Sequence, residues 1–301
     1  MRSSGRNHLS LLGDNGVVAV LIALHALPSA EGYKHVVFMH GLFSGAVEFT
    51  HFNDLIQNYH PGTPTTLVNS FASMDSLTRL TKQVETIAAL LAPVLTNKSS
   101  DGTILICYSQ GGLICRGLLA LVQHNVDTFI SLSSPLAGQY GDTEYLKVLF
   151  PKYVKKHMYK LFYTSIGQQL SIANYWNDPH QQALYEKFSD FLAILNNQSR
   201  TASANSHEYR NNFLRLKNLV LVGGPDDEVI SPWQSSQFGM YNTTERVLPM
   251  EQQKWYQNDA FGLKNLNERG AVHMHVFPGI RHNSWPHDEN VFTTCIKPWL
   301  T

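Results

Sequence analysis

Three cysteines, no excess of either charge sign and no apolar run long enough to cross a bilayer are the first features of this 301-residue sequence. Each scarcity excludes something. The balance of 23 basic against 23 acidic residues provides no overall field to recruit nucleic acid or an anionic membrane face. So few cysteines rule out a disulfide-dense scaffold, and their odd number predicts, in an oxidising compartment, one bridge and one free thiol. No P-loop occurs and no histidine–carboxylate cluster has metal-ligand spacing, so neither cofactor nor metal is expected. What is abundant is apolar material: 43% hydrophobic residues are enough for the core of one α/β domain.

The first thirty residues differ from the rest. Arg2 and Arg6 precede an apolar run at 17–27, followed by Pro28, Ser29 and Ala30. That run is too short for the ~20 residues of a membrane-spanning helix, and the pattern is that of a secretory signal peptide over 1–30. Sequons at Asn97, Asn197 and Asn242 agree with passage through the secretory route, because each lies in a polar stretch between predicted elements. The remaining 31–301 reads as a single domain.

Within it, Thr103–Tyr108 is a β-rich apolar run, and from Leu113 apolar residues recur at helical spacing as far as Val122. Ser109 sits at the join. A strand, a tight turn and a helix form the setting in which a GxSxG-type elbow exposes a serine hydroxyl above a sheet, and Gly111 and Gly112 permit the close approach. The first glycine of that pattern is replaced by Cys107. Cys107 lies ~7 Å below the turn along the strand and Cys115 ~9 Å down the helix, so the two return to similar depth and a Cys107–Cys115 disulfide is expected. A helix starting just after Ser109 aims N–H groups and positive dipole at the space above the serine oxygen.

The alternation of strand and helix extends along the chain, with strands at His35–Met39, 66–71, 128–132, 219–222 and 271–277 and helices at 48–58 and 77–95. Such an order predicts a mostly parallel sheet covered on both faces. The first strand runs into His40-Gly41-Leu42-Phe43, where the loop of a hydrolase of this type supplies a second oxyanion donor. The Leu42 and Gln110 backbone N–H groups are the candidates. Ser133-Ser134-Pro135, at the end of a strand, is expected to approach the serine. The strand at 219–222 ends in Gly223-Gly224-Pro225-Asp226-Asp227-Glu228, and two aspartates there compete for the position of a triad acid. His282, after the last strand and ahead of an expected terminal helix, is the histidine best placed to be the base. The order serine, acid, histidine on successive strand-end loops is what acyl transfer requires: a serine needs a base, and the base needs an acid to fix its tautomer.

One segment, 136–212, interrupts the alternation. It carries Tyr145, Phe150, Tyr153, Tyr159, Phe162, Tyr163, Tyr175, Trp176 and Phe191 among helical stretches, and is placed like a lid whose aromatics line a groove for an acyl chain.

These residues resemble the palmitoyl-protein thioesterases. The resemblance rests on HGLF at 40–43, CYSQGGL at 107–113, HNVDTFISLSSP at 124–135, GQYGDTEYLK at 138–147, NYWNDPH at 174–180, GGPDDEVISPWQSS at 223–236 and CIKPWL at 295–300. It implies an α/β-hydrolase fold, Ser109 as nucleophile, Asp227 rather than Asp226 as acid, and His282 as base. It also implies a lysosomal glycoprotein that hydrolyses long-chain acyl thioesters such as palmitoyl-CoA. The same resemblance pairs Cys107 with Cys115 and places two further bridges that this chain lacks. Phe162 and Ala173 stand at the positions of one pair, and His275 stands where Cys295 would find its partner. A lipase or carboxylesterase acting on oxygen esters would use the same triad, and a lipid-binding glycoprotein with an inert triad would share the pocket.

Overall fold

The computed structural model describes residues 32–98, 101–152, 154–200 and 206–301, the side chains of Glu144 and Tyr145 apart. The signal segment 1–30, Tyr153 and Ser99 of the first sequon lie outside the described residues. Six strands form one parallel sheet in the order β2-β1-β3-β4-β5-β8. They are β1 His35–Met39, β2 Thr65–Val68, β3 Thr103–Tyr108, β4 Val126–Leu132, β5 Asn218–Gly223 and β8 Val272–Val276. A two-strand antiparallel hairpin, β6 Met240–Tyr241 and β7 Val247–Leu248, stands apart from the sheet. This is the α/β-hydrolase fold, and every one of its parallel connections carries helical turns, as parallel pairing demands.

Alternation along the central strands divides the interior in two. Val37, Met39, Leu105, Cys107, Phe129, Leu219 and Leu221 enter one core with the apolar stripe of α2, Leu80–Leu95, and with α3, Gln110–Leu121. Val36, Phe38, Ile104, Ile106, Ile130, Leu132, Val220 and Val222 enter the other, beneath α1, Thr50–Tyr59, and the C-terminal turns. Because both faces are covered, β3 and β4 are buried at every position; β3 accordingly reads as a largely apolar run, while β4 also buries Asp127, Thr128 and Ser131. In α2, Leu80, Val84, Ile87, Leu91 and Leu95 recur at helical spacing and are all buried.

Four expected elements differ. The strand expected at 66–71 is β2, Thr65–Val68, and ends before Asn69. The helix expected at 48–58 is a 3-10 turn, Ala46–Phe49, that passes into α1. The helix expected from 77 starts at Leu80, because Ser73–Leu77 forms its own 3-10 turn around the Ser76 hydroxyl, which donates to the Ser73 carbonyl. No continuous terminal helix follows His282. The chain instead runs through the 3-10 turn His282–His287, the short helix Glu289–Val291, a π-helical turn Phe292–Ile296 and the 3-10 turn Lys297–Trp299. Pro286 and Pro298 supply no backbone N–H and prevent a regular ladder.

Between β4 and β5 the chain forms short helices, among them Glu144–Leu149, Ser171–Asn174, Gln182–Phe188 and Ser206–Phe213. Most of its aromatic rings do not line a groove. Phe162, Tyr163, Trp176 and Phe191 are buried in the core, where Phe162 packs edge-on to Phe150 at 5.3 Å and to Trp176 at 5.4 Å. Rings that satisfy one another in this way gain packing energy that a solvent-facing groove would forfeit.

Candidate active site

The join of β3 and α3 fixes Ser109. Its backbone has φ 53° and ψ −128°, a strained conformation for a residue with a Cβ. Hydrogen bonds hold it there: the Ser109 N–H donates to the Leu132 carbonyl at 3.0 Å, and the Gly112 N–H donates to the Ser109 carbonyl at 3.0 Å. The turn needs glycine next to it. A Cβ on Gly111 would lie 2.4 Å from the Met39 carbonyl oxygen and 2.5 Å from that of His40, and one on Gly41 would lie 2.9 Å from the Ser109 Cβ. Beneath the turn, Cys107 and Cys115 are joined by the expected disulfide, with Cα atoms 6.6 Å apart.

The Ser109 Oγ lies 2.9 Å from His282 Nε2, and His282 Nδ1 lies 2.7 Å from Asp227 Oδ2. All three residues are buried, with Ser109 8% exposed at the floor of a cavity. Asp227 is a hub. Its Oδ1 accepts from the N–H groups of Val229 at 3.0 Å and Ile230 at 2.8 Å. Its Oδ2 also accepts from the Trp285 indole at 2.8 Å and from the Ser133 hydroxyl. Burial acts to raise the Asp227 pKa, but the His282 partner and the surrounding donors outweigh it and hold the carboxyl below its ordinary range. An ionised acid that accepts from Nδ1–H leaves Nε2 unprotonated and facing the serine hydroxyl.

The neighbouring acid, Asp226, has a different task. Its Oδ2 accepts from the Gly279 N–H at 2.7 Å, fastening the loop that leads to His282. Glu228 accepts from the His282 N–H at 3.3 Å, and the Tyr108 hydroxyl donates to the His282 carbonyl at 2.9 Å. The loop expected to approach Ser109 does so through Pro135, which lines the same cavity, whereas the Ser133 hydroxyl donates to Asp227 from a left-handed backbone (φ 40°). Trp285 and Ser76 carry no motif in the sequence. A tryptophan three residues beyond His282 is the only signal for the first.

The loop after β1 is held through Ser76. The Phe43 N–H donates to Ser76 Oγ at 2.8 Å, and the Gln110 side chain donates to the Ser76 carbonyl at 2.8 Å. One residue thereby links the two backbone stretches that contain Leu42 and Gln110. His40 is buried, with Nδ1 2.8 Å from the Gly41 carbonyl and Nε2 3.1 Å from that of Ser70, and burial lowers its pKa. It braces the loop and does not reach Ser109.

A cavity of about 410 Å³ opens on Ser109 and His282. Leu42, Leu146, Ile172, Tyr175, Val229 and Ile230 give it apolar walls, and Glu48, Gln139 and Thr143 add polar ones. Its size falls within the ~300–1,000 Å³ usual for small-molecule sites. Among the described aromatic side chains of 136–212, Tyr175 is the one that reaches it.

The other predicted positions lie elsewhere. Cys295 is a buried free thiol whose pKa burial pushes up to about 12. Phe162 and Ala173 are both buried, and the Gln168 side chain donates to the carbonyls of both, at 2.8 and 3.0 Å. Asn97 and Asn197 are exposed and Asn242 is half-buried at the hairpin turn. Among the described residues, no group of three or more His, Cys, Asp or Glu side chains is arranged to hold a metal ion, and no helix is long and apolar enough to cross a membrane.

Residues 35–282 match the family model described as palmitoyl protein thioesterase. The chain is 48% identical over 275 residues to the lysosomal thioesterase PPT2 of Bos taurus, covering 91% of this chain and 89% of that protein. It is 46% identical over 283 residues to the lysosomal thioesterase PPT2 of Homo sapiens, covering 94% and 93%. Among solved structures, the monoacylglycerol lipase of Paleococcus ferrophilus aligns with a TM-score of 0.45 at 14% identity, over 84% of this chain and 88% of that one. With a matched region that takes in the whole parallel sheet and ends on His282, the chain belongs to the palmitoyl protein thioesterase family.

Proposed function

We propose that this protein hydrolyses long-chain fatty acyl thioesters, with Ser109 as nucleophile, His282 as general base and then acid, and Asp227 as the acid that orients His282. The observation that carries the reading is the unbroken series from Ser109 Oγ through His282 to Asp227, at 2.9 and 2.7 Å, on the floor of an apolar-walled cavity. Membership of a thioesterase family supports the choice of thioester over oxygen ester.

In the proposed reaction, His282 Nε2 takes the hydroxyl proton as Ser109 Oγ attacks the acyl carbonyl. The oxyanion is stabilised by the N–H groups of Leu42 and Gln110, which donate to no other group of the described residues. Collapse breaks the carbon–sulfur bond, and His282 returns its proton to the departing sulfur. Water, deprotonated by the same nitrogen, then attacks the serine ester and releases the fatty acid. A thiol of pKa ~8.5 leaves with less assistance than an alcohol, which suits a site with a single proton carrier. The segment 136–212 acts as a lid, contributing Leu146, Ile172 and Tyr175 to the acyl wall. The names of the relatives support a lysosomal location for this chain, reached through the secretory pathway, with Asn97, Asn197 and Asn242 as glycan acceptors.

Hydrolysis of palmitoyl-CoA by the protein and by Ser109→Ala, beside the matched oxygen ester, tests the reading. Serine-dependent release of CoA with little oxygen-ester cleavage is the expected result. Equal turnover of both esters would make the protein a general esterase, and turnover that survives Ser109→Ala would remove the triad from the mechanism.

A further inference from the structure

We propose that the outer surface of the segments that wall the cavity docks onto an anionic lipid bilayer, so that the acyl chain passes from membrane to cavity without crossing water. The use of this surface in turnover rests on the thioesterase reading. The surface itself does not.

The four most exposed large apolar side chains among the described residues are Ile166 at 81%, Val47 and Val148 at 78%, and Met74 at 66%. All four lie on or beside chain that forms the cavity. Val47 directly precedes Glu48, a lining residue, and Val148 follows Leu146 by two positions, within ~7 Å along even a fully extended chain. Met74 sits in the Ser73–Leu77 turn, whose Ser73 N–H donates to the carbonyl of the lining residue Ser44 at 2.8 Å. Ile166 opens the turn that leads through Leu170 to Ile172, and Leu170 forms a β-bridge with Thr78 just beyond the Met74 turn. The exposed large apolar side chains away from these segments, Tyr59, Leu121, Met274 and Val276, are less open, at 39–54%, and exposed apolar surface on the walls of an apolar cavity is the mark of an interaction site.

Charge identifies the partner. From 147 to 160 the chain carries Lys147, Lys152, Lys155, Lys156 and Lys160 without a single acidic residue, although the whole protein is neutral in net charge. Lys155 is committed to Glu245 at 2.5 Å, and Asp142 turns its carboxylate onto the Lys155 N–H at 2.5 Å. Lys152, Lys156 and Lys160 are exposed beside Val148 and Val154. Val148 and Val154, flanked along the chain by these lysines, fit an anionic leaflet, whose charge attracts the lysines where a zwitterionic one offers no net attraction. Whole-chain charge balance conceals this patch, because equal numbers of acids and bases say nothing about where they lie.

The test is co-sedimentation of full-length Ser109→Ala protein with phosphatidylcholine–phosphatidylserine vesicles and with vesicles of phosphatidylcholine alone. Binding to the anionic vesicles is expected, released by high salt. The triple variant Lys152→Glu, Lys156→Glu, Lys160→Glu should weaken it by on the order of 100-fold, and Val148→Ser with Ile166→Ser should weaken it at low salt, where the parent binds. Equal binding to both vesicle types, or a triple variant that binds like its parent, overturns the proposal. Hydrolysis of a water-soluble short-chain acyl thioester by the wild-type chain and by the lysine variant is run alongside. Equal turnover by the two is expected, since none of these lysines reaches the cavity. Loss of that turnover in the wild type itself would sink the enzymatic reading while leaving the vesicle result to stand or fall separately.

Discussion

The indole N–H of Trp285 meets Asp227 Oδ2 at 2.8 Å, and that oxygen is the one facing His282 Nδ1 at 2.7 Å. The two contacts fix the carboxylate in the plane the imidazole needs. Trp285→Phe keeps most of the buried ring and deletes one donor to a charged acceptor, a contact of about 1.5–3 kcal/mol. With a donor lost, the Asp227 pKa should move up toward its ordinary range. Steady-state kinetics should show kcat reduced by roughly tenfold or more with KM little changed, consistent with ~1.4 kcal/mol per decade. An unchanged kcat would reduce Trp285 to a packing residue.

Among the histidines that burial depresses, His124 is expected to erode stability over the widest range of falling pH. Burial, reinforced by the neighbouring Arg215 charge, lowers its pKa to about 4, and its Nδ1 accepts from the Val126 N–H at 3.1 Å. A histidine with a depressed folded pKa stabilises the fold fully above its ordinary value of ~6.5, and that contribution is lost as pH falls toward the folded value. Asp227, also depressed, loses its contribution only below the ordinary carboxylate range. His124→Gln, which keeps an acceptor for Val126, should therefore show a smaller fall in Tm between pH 7 and pH 5 than the parent. Parallel Tm curves for the two proteins would exclude His124 as the source.

The Cys107–Cys115 bridge closes a short loop, with a sequence separation of 8. Loop-closure entropy gives such a bridge about 2–3 kcal/mol. Cys107→Ala with Cys115→Ala should lower the unfolding free energy by that amount in denaturant titration. Cys295, buried and with its pKa raised, should resist a thiol reagent in the native protein and react at once after denaturation. Rapid native labelling would show that the C-terminal turns open readily.

Gln168 links Phe162 to Ala173 where the family resemblance places a disulfide. Its amide nitrogen serves both carbonyls, while its amide oxygen accepts from the Asp190 N–H at 3.0 Å and from Asn174 at 3.1 Å. Asn174 in turn accepts from the Leu80 N–H at 2.7 Å, joining this segment to α2. Gln168→Leu strands several buried partners at ~1–3 kcal/mol each. A drop in stability of at least 2 kcal/mol is expected by thermal or denaturant unfolding. A change below ~0.5 kcal/mol would show that water replaces the amide.

Strands β1 and β3 were legible to the residue, because each is a short, mostly apolar run, HVVFM and TILICY, as buried parallel strands are. The positions of Ser109, Asp227 and His282 followed from strand ends and family motif. Less legible were the groups that hold them. Trp285 reaches Asp227 across 58 residues and Ser76 reaches Phe43 across 33, and no local pattern encodes contacts at such separation. The aromatic residues of 136–212 misled for a related reason: composition reports that rings are present, and only packing decides whether they face a ligand or each other. The missing terminal helix was signalled by Pro286 and Pro298.

The division of the interior by alternate residues ties the reading frame of β3 to chemistry. An insertion or deletion of one residue within Thr103–Tyr108 would exchange the contents of the two cores, since Leu105 and Cys107 face one and Ile104 and Ile106 the other. The same slip would draw Cys107 away from Cys115 and shift Ser109 along the strand direction by ~3.3 Å, beyond reach of His282. A length change in this strand that is not absorbed by a bulge, such as the irregularity already present at Thr103/Ile104, therefore disturbs the core and the site together. Selection for solubility alone would be enough to hold Ser109 at its address.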